Sequence, residues 1–198
     1  MVITLDQNLN FREHVNTIKS KLSKSVGVLF KLNKFLPPNI LKLLYDTLIK
    51  PYLTYGIEAW FSAPNFLTDK IFIMQKKSIR AITNLEYNAH TNDSFKKLEI
   101  LKLPDLFKEN ITVLFFNTLK LGMNSNVSPY MLLHSEIHDH DTRNRNKLIL
   151  PMAQKSHTQA AFLFQGIVEW NALPEEIKCT NSTRLLRKKL RKRYLANY

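Results

Sequence analysis

The sequence predicts a mainly α-helical protein, built as a helical bundle. Three observations lead there. Apolar residues recur at steps of three and four over long stretches, as Phe11, Val15, Ile18, Leu22, Val26 and Leu29 do, which places them on one face of a helix. Only four glycines occur in 198 residues, too few for an architecture built on tight turns. Prolines stand between the periodic stretches, where a helix starts or stops rather than continues.

The elements follow in order. Val2, Ile3 and Leu5 form a short strand-like run ending at Asp6, as if cut from a larger sheet. Asn10 stands three residues before Glu13, the spacing of an N-cap and its capping partner, and a helix is expected over about 10–35. Pro37 and Pro38 end that helix and open the next, whose apolar face is expected from Ile40, Leu43, Leu44, Tyr45 and Leu48. Pro51 removes an amide donor and predicts a kink or restart. Tyr52, Tyr55, Gly56 and Trp60 continue on a helical turn, with Gly56 allowing close helix packing. After the break at Ala63-Pro64-Asn65, a helix over 67–85 turns Ile71, Met74, Ile79 and Ile82 inward. Lys70, Lys77 and Arg80 fall near one line on it, with Lys76 beside them.

A short helix is expected over 94–101 and a longer one over about 105–121, ended by Gly122. The stretch from His134 to Asn146 is polar and irregular, 147–151 reads as a short strand, and 159–170 as helical or partly extended. Ser182 or Thr183 caps a last helix through about Ala196, with Leu186, Leu190 and Tyr194 as its narrow apolar line. The domain expectation is a strand remnant over 1–8, a helical domain over 9–122 and a helical C-terminal extension over 123–198.

Charge narrows the partners. Lysine and arginine number 29 against 16 acids, a formal net charge of +13. Seven of those cations sit between Arg184 and Arg193, a segment without an acid, and the rest of the chain still carries +6. Such a surface attracts polyanions, nucleic acid first. The competing explanation is a surface charged only for solubility, on a helical module that binds another protein. The basic terminal helix also has the composition of a nuclear localisation signal or a membrane-surface helix. No run of roughly 18 apolar residues suggests a membrane span. Cys179 is the single cysteine, so no internal disulfide can form, and a reducing intracellular compartment, nuclear or cytoplasmic, is expected over secretion.

Chemistry of its own is hard to find. The cluster His138-Asp139-His140-Asp141, with His134 before it, has residue types that ligate metals, and a nuclease built on it is one reading. Alternating residues of this kind are also common in solvated loops. Two-metal chemistry on phosphodiesters needs clustered acids, yet the seven aspartates are scattered and no Asp-Asp pair occurs. Phosphate-loop and dinucleotide fingerprints are missing as well. The residues describe a binder, with no catalytic residue, no metal site and no cofactor expected. Aromatics Tyr45, Tyr52, Tyr55, Trp60 and Phe61 have the types that stack on bases, but helical spacing points to core.

The order of motifs adds to this reading. Leu5-Asp6, Phe11, His14-Val15 and Lys21-Leu22-Ser23-Lys24 come first, then Leu44-Tyr45, Pro51-Tyr52-Leu53-Thr54-Tyr55-Gly56 and Trp60. Gln75-Lys76-Lys77 with Arg80, then His90-Thr91, Leu98, Leu101 and Leu103, then Thr142-Arg143, Pro151, Gly166 and Trp170-Asn171-x-Leu173-Pro174 complete the series. The series resembles the region after the palm of reverse transcriptases from non-LTR retrotransposons, nearest the jockey- and CR1-like lineages. The resemblance implies a thumb and post-thumb region of an RNA-directed DNA polymerase. That family's catalytic acids lie upstream, in a Tyr/Phe-x-Asp-Asp turn, and nothing here matches them. It also implies that thumb helices hold RNA or RNA–DNA duplex, with DNA as a further partner. The candidate binding residues are Lys70, Lys76, Lys77 and Arg80 on the middle helix and Arg184, Arg187, Lys188, Arg191 and Lys192 on the terminal one.

Overall fold

A computed structural model describes residues 2–7, 10–122, 131–137, 145–152 and 161–198. Among the described residues the protein is mainly α, with eleven helices and one isolated β-bridge. The chain divides into two compact units, Met1–Phe107 with Arg193–Tyr198, and Lys108–Lys192.

The first unit is built on α1 (Arg12–Leu32), whose buried residues Val15, Ile18, Leu22, Val26 and Leu29 are the stripe that the sequence predicts. Its start differs from expectation. Phe11 holds the cap position with φ 52°, and no side chain caps from there. The Asp6 carboxylate instead accepts from the amides of Asn10 at 2.7 Å and Arg12 at 3.2 Å, so an upstream acid does the work expected of Asn10.

The strand expected at the N-terminus is corrected as well. Residues 2–6 join no ladder. The Thr4 amide donates to His14 Nδ1 at 3.4 Å. Ile3 fills the space that a Cβ on Gly56 would occupy. Gly56 itself stands at φ 60°, a left-handed turn that its lack of side chain permits, rather than at a helix crossing.

Helix α2 (Pro38–Leu48) opens on Pro38 as expected, but its inward face is Leu41 and Tyr45. Leu43 is 59% exposed, and Ile40 and Leu48 are exposed too. The helix is apolar around most of its circumference, so periodicity alone does not fix its rotation. The inward line continues in steps of three and four through Ile49, then α3 (Lys50–Thr54) at Leu53 and α4 (Ile57–Trp60) at Ile57 and Trp60. Pro51 restarts the helix in α3. Helix α5 (Asn65–Thr83) runs parallel to α1. Arg12 meets Phe66, Ser23 meets Met74, and the two capping residues Asn33 and Asn84 meet in the same order. The predicted inward residues Ile71, Met74, Ile79 and Ile82 are all buried.

Helix α6 (Asn92–Lys97) follows, and α7 (Leu103–Leu121) begins in this unit and continues into the second. Gln75 fixes the junction before α7. Its buried amide donates to Tyr45 Oη and to the Leu101 carbonyl, each at 2.9 Å, and accepts from the Leu103 amide at 2.8 Å. Tyr198 closes the same region. Its hydroxyl donates to Asp105 Oδ2 at 2.6 Å and accepts from the Lys102 amide at 2.8 Å. Burial first, and then the bond to Asp105, push that phenol well above its usual pKa.

In the second unit α7 packs with α9 (Phe162–Asn171), where Gly166 faces the Phe115 ring with no room for a methyl. Asn171 grips the backbone of Leu148, accepting from its amide at 3.0 Å and donating to its carbonyl at 2.9 Å. Leu148 also forms the antiparallel bridge with Leu133, just before α8 (His134–Ile137), so the short strand expected over 147–151 amounts to one bridge. Helix α10 (Glu175–Lys178) leads to α11 (Thr183–Ala196). The Leu185 amide donates to Ser182 Oγ at 3.3 Å, the cap that the sequence suggests, and Leu186 and Leu190 are buried.

Candidate nucleic-acid interface

Helix α5 buries one side in the first unit and leaves its cations on the other. Lys70 is exposed, and Lys76, Lys77 and Arg80 are half-buried. None of the ion pairs among the described residues involves these four. The three lysines instead lie over aromatic rings. Lys76 Nζ is 4.3 Å from the Phe72 centroid, Lys77 Nζ 5.5 Å from Tyr87, and Lys70 Nζ 5.7 Å from Phe66. Such contacts orient an ammonium group and leave its charge uncancelled. Arg80 differs. Its Nε donates to the Ala89 carbonyl at 3.0 Å, which ties down the loop after α5.

On α11, within the second unit, the expected binding residues divide by face. Arg191 Nε donates to Glu109 Oε1 at 2.7 Å, and Arg187 Nη1 lies 3.4 Å from Glu109 Oε2. The Arg187 guanidinium also reaches Asn110 Oδ1. Glu109 is 1% exposed, so both arginines serve a buried carboxylate. Arg184, Lys188 and Lys192 are exposed, four residues apart along the helix, and take part in none of the ion pairs among the described residues. Four residues rise about 6 Å, a step comparable to that between neighbouring phosphates of one strand.

Sequence reasoning missed two residues that lie beside these cations. Arg12 Cζ lies 5.9 Å from the Phe66 centroid, a contact between distant segments that no local pattern announces. Phe66 was legible in principle, since it precedes Lys70 by four residues on the same helical face. The aromatics considered for stacking are largely structural, as spacing suggested. Tyr45 and Trp60 are buried, Trp60 Nε1 donates to the Tyr55 carbonyl at 3.0 Å, and Phe61 stacks on Phe107 at 4.5 Å. Tyr52 lies under Lys21 at 5.7 Å.

The cluster His138, Asp139, His140 and Asp141 lies outside the described residues, as do Thr142 and Arg143. Among the described residues no three His, Cys, Asp or Glu side chains come together as a metal site. No helix among them is long and apolar enough to cross a membrane.

Fold and surface define a class: a mainly helical chain on which Lys70, Lys76 and Lys77 of α5 and Arg184, Lys188 and Lys192 of α11 have no ion-pair partner among the described residues. Comparison with known proteins makes the class specific. The chain is 30% identical over 128 residues, 62% of its length, to the RNA-directed DNA polymerase from mobile element jockey of Drosophila melanogaster. It is 27% identical over 111 residues to the jockey polymerase of Drosophila funebris. These matches support a region of a non-LTR retrotransposon reverse transcriptase, as the order of motifs implied. The matched stretches span only 14% and 12% of those polymerases' own lengths. No family model matches the chain. No solved structure matches it.

Proposed function

We propose that this chain is the nucleic-acid-gripping part of an RNA-directed DNA polymerase, thumb-like over 9–122 with a C-terminal extension over 123–198. It binds RNA or RNA–DNA duplex without regard to sequence and leaves phosphoryl chemistry to acids elsewhere in the parent protein. One observation carries the reading. Lys70, Lys76 and Lys77 on α5 and Arg184, Lys188 and Lys192 on α11 have no carboxylate partner among the described residues. Intramolecular charge pairs would have cancelled them if their purpose were internal. The similarity to two polymerases agrees with this, and so does the lack of an Asp-Asp pair in the sequence.

Binding of this kind releases counterions. Each neutralised phosphate contributes about −0.7 to −0.9 to the slope of log affinity against log salt. Replacing Lys70, Lys76 and Lys77 together by Ala flattens the slope by about two to three on an RNA–DNA duplex. Arg80 is left out of that variant because it holds the Ala89 carbonyl. An unchanged slope removes α5 from the interface, and absence of binding by the unaltered chain in low salt overturns the proposal.

A further inference from the structure

The exposed side of α5 carries more than charge. Phe66, Lys70, Ile73 and Lys77 follow at steps of four, three and four, so they share one face. Phe66 is 53% exposed, Ile73 47%, and Tyr87 below Lys77 is 70% exposed. Two aromatic rings and an apolar side chain thus lie open to solvent in one line with two lysines. Phe66 is attended from two sides, by Arg12 on α1 and Lys70 on its own helix. Of the acids nearby, Asp69 precedes Lys70 on the helix and Glu86 precedes Tyr87, and neither forms an ion pair with these cations.

Phosphate contact alone does not need this arrangement. A duplex presents its backbone outward and keeps the faces of its bases stacked inside, so an exposed phenyl ring meets only sugar and phosphate there. An unpaired strand presents both charge and aromatic faces. Aromatic plates interleaved with cations are the usual solution for such a ligand, and they tolerate any sequence because every base has a π face. We infer that Phe66, flanked by Arg12 and Lys70, is a stacking site for an unpaired base of single-stranded RNA or DNA, and that the strand continues along α5 past Ile73 and Lys77 to Tyr87. A base settling on Phe66 displaces one of the two cations from the ring, and that cation then pairs with the adjacent phosphate. The inference rests on the nucleic-acid reading above and deepens it: the lysines of this face serve the phosphates of either ligand, and the Phe66 ring adds a contact that only an unpaired strand makes.

The test uses the whole chain and three labelled probes in the same buffer. These are an unstructured oligo-uridylate, an RNA–DNA duplex of equal length, and poly-glutamate. Phe66→Leu keeps an apolar side chain and removes the ring, and an unchanged melting temperature confirms the fold. The expected result is about tenfold weaker binding of the single strand, with less than twofold change for the duplex. Phe66→Trp restores the affinity, and its exposed indole loses fluorescence when the single strand binds. Trp60 and Trp170 are both buried and give a constant background. Equal loss on both nucleic acids, or no loss on the single strand, overturns the inference while duplex binding by the unaltered chain preserves the broader reading. Loss confined to poly-glutamate assigns the face to acidic protein segments and likewise overturns it. Failure of the unaltered chain to bind either nucleic acid removes both.

Discussion

Arg191 Nε meets Glu109 Oε1 at 2.7 Å, and that contact separates the cations of α11 into two kinds. Arg187 and Arg191 neutralise a buried carboxylate, whereas Arg184, Lys188 and Lys192 face solvent. The two groups therefore respond oppositely to substitution. Glu109→Gln strips two guanidinium groups of their charge partner and destabilises the chain by about 2 kcal/mol. This is less than for a dry pair, because both arginine side chains keep contact with water. Arg191→Ala removes the closer of the two partners, leaves the carboxylate to Arg187 alone and costs less, about 1 kcal/mol. Lys188→Ala and Lys192→Ala change stability by no more than about 0.5 kcal/mol but each lowers the salt slope of RNA binding by about 0.7 to 0.9. Urea denaturation and salt titration on the same variants read the two effects separately.

Gln75 is the second internal commitment, and it accounts for a polar residue in the apolar stripe of α5. Its three hydrogen bonds join α5, Tyr45 on α2 and the backbone leading into α7. Burial raises the Tyr45 phenol well above its usual pKa, so it stays protonated. Tyr45→Phe removes one of the three bonds and costs about 1 kcal/mol, while Gln75→Leu leaves buried backbone groups unpaired and costs about 3 kcal/mol. Hydrogen exchange at the Leu103 amide accelerates in Gln75→Leu far more than in Tyr45→Phe. Similar exchange in the two variants contradicts this assignment.

How much of this is legible in the sequence depends on whether a signal is local. The stripe of α1 was readable because that helix has one apolar side. Helix α2 was not, because Ile40, Leu43 and Leu48 compete with Leu41 and Ile49 for the inward position, and the bond from Gln75 to Tyr45 decides between them. The Asp6 cap escaped notice because an acid six residues before Arg12 reaches its amide only through a turn. The cations of α5 and α11 were found by charge alone. Which of them are engaged internally depended on Glu109 and on the Ala89 carbonyl, partners whose positions no helical period reveals. The order of weak motifs carried the family resemblance, since it integrates over the chain where each motif alone does not.

Gly166 shows why one glycine in a helix is worth its conformational cost. In α9 it lies against the Phe115 ring of α7 so closely that a methyl group would overlap the ring. Gly166→Ala raises helix propensity by about 1 kcal/mol but forces the ring aside, and overpacking of that kind costs about 1–3 kcal/mol. Net destabilisation is expected. Phe115→Leu alone leaves a cavity and is destabilising too, yet the double variant is more stable than the sum of the two single losses implies. Denaturation midpoints of the four proteins settle it, and strict additivity would show that the two sites do not meet.

His14 sets a pH dependence for the first unit. It is 1% exposed, and its Nε2 is without a hydrogen-bond partner among the described residues. Nδ1 accepts from the Thr4 amide at 3.4 Å, so the neutral ring carries its proton on Nε2. Burial, and then the charge of Lys21, lower its pKa below the ordinary 6.5. The unfolded chain therefore binds a proton in a range where the folded one does not. Stability from this residue is full above about pH 6.5 and is lost as pH falls from there to the folded value. Protonation also removes the acceptor for Thr4, so residues 2–6 loosen in the same range. His14→Gln abolishes that part of the slope, and the difference between the two stability curves isolates it. A difference curve that is flat between pH 5 and about 6.5, or that rises toward acid, would refute the lowered value.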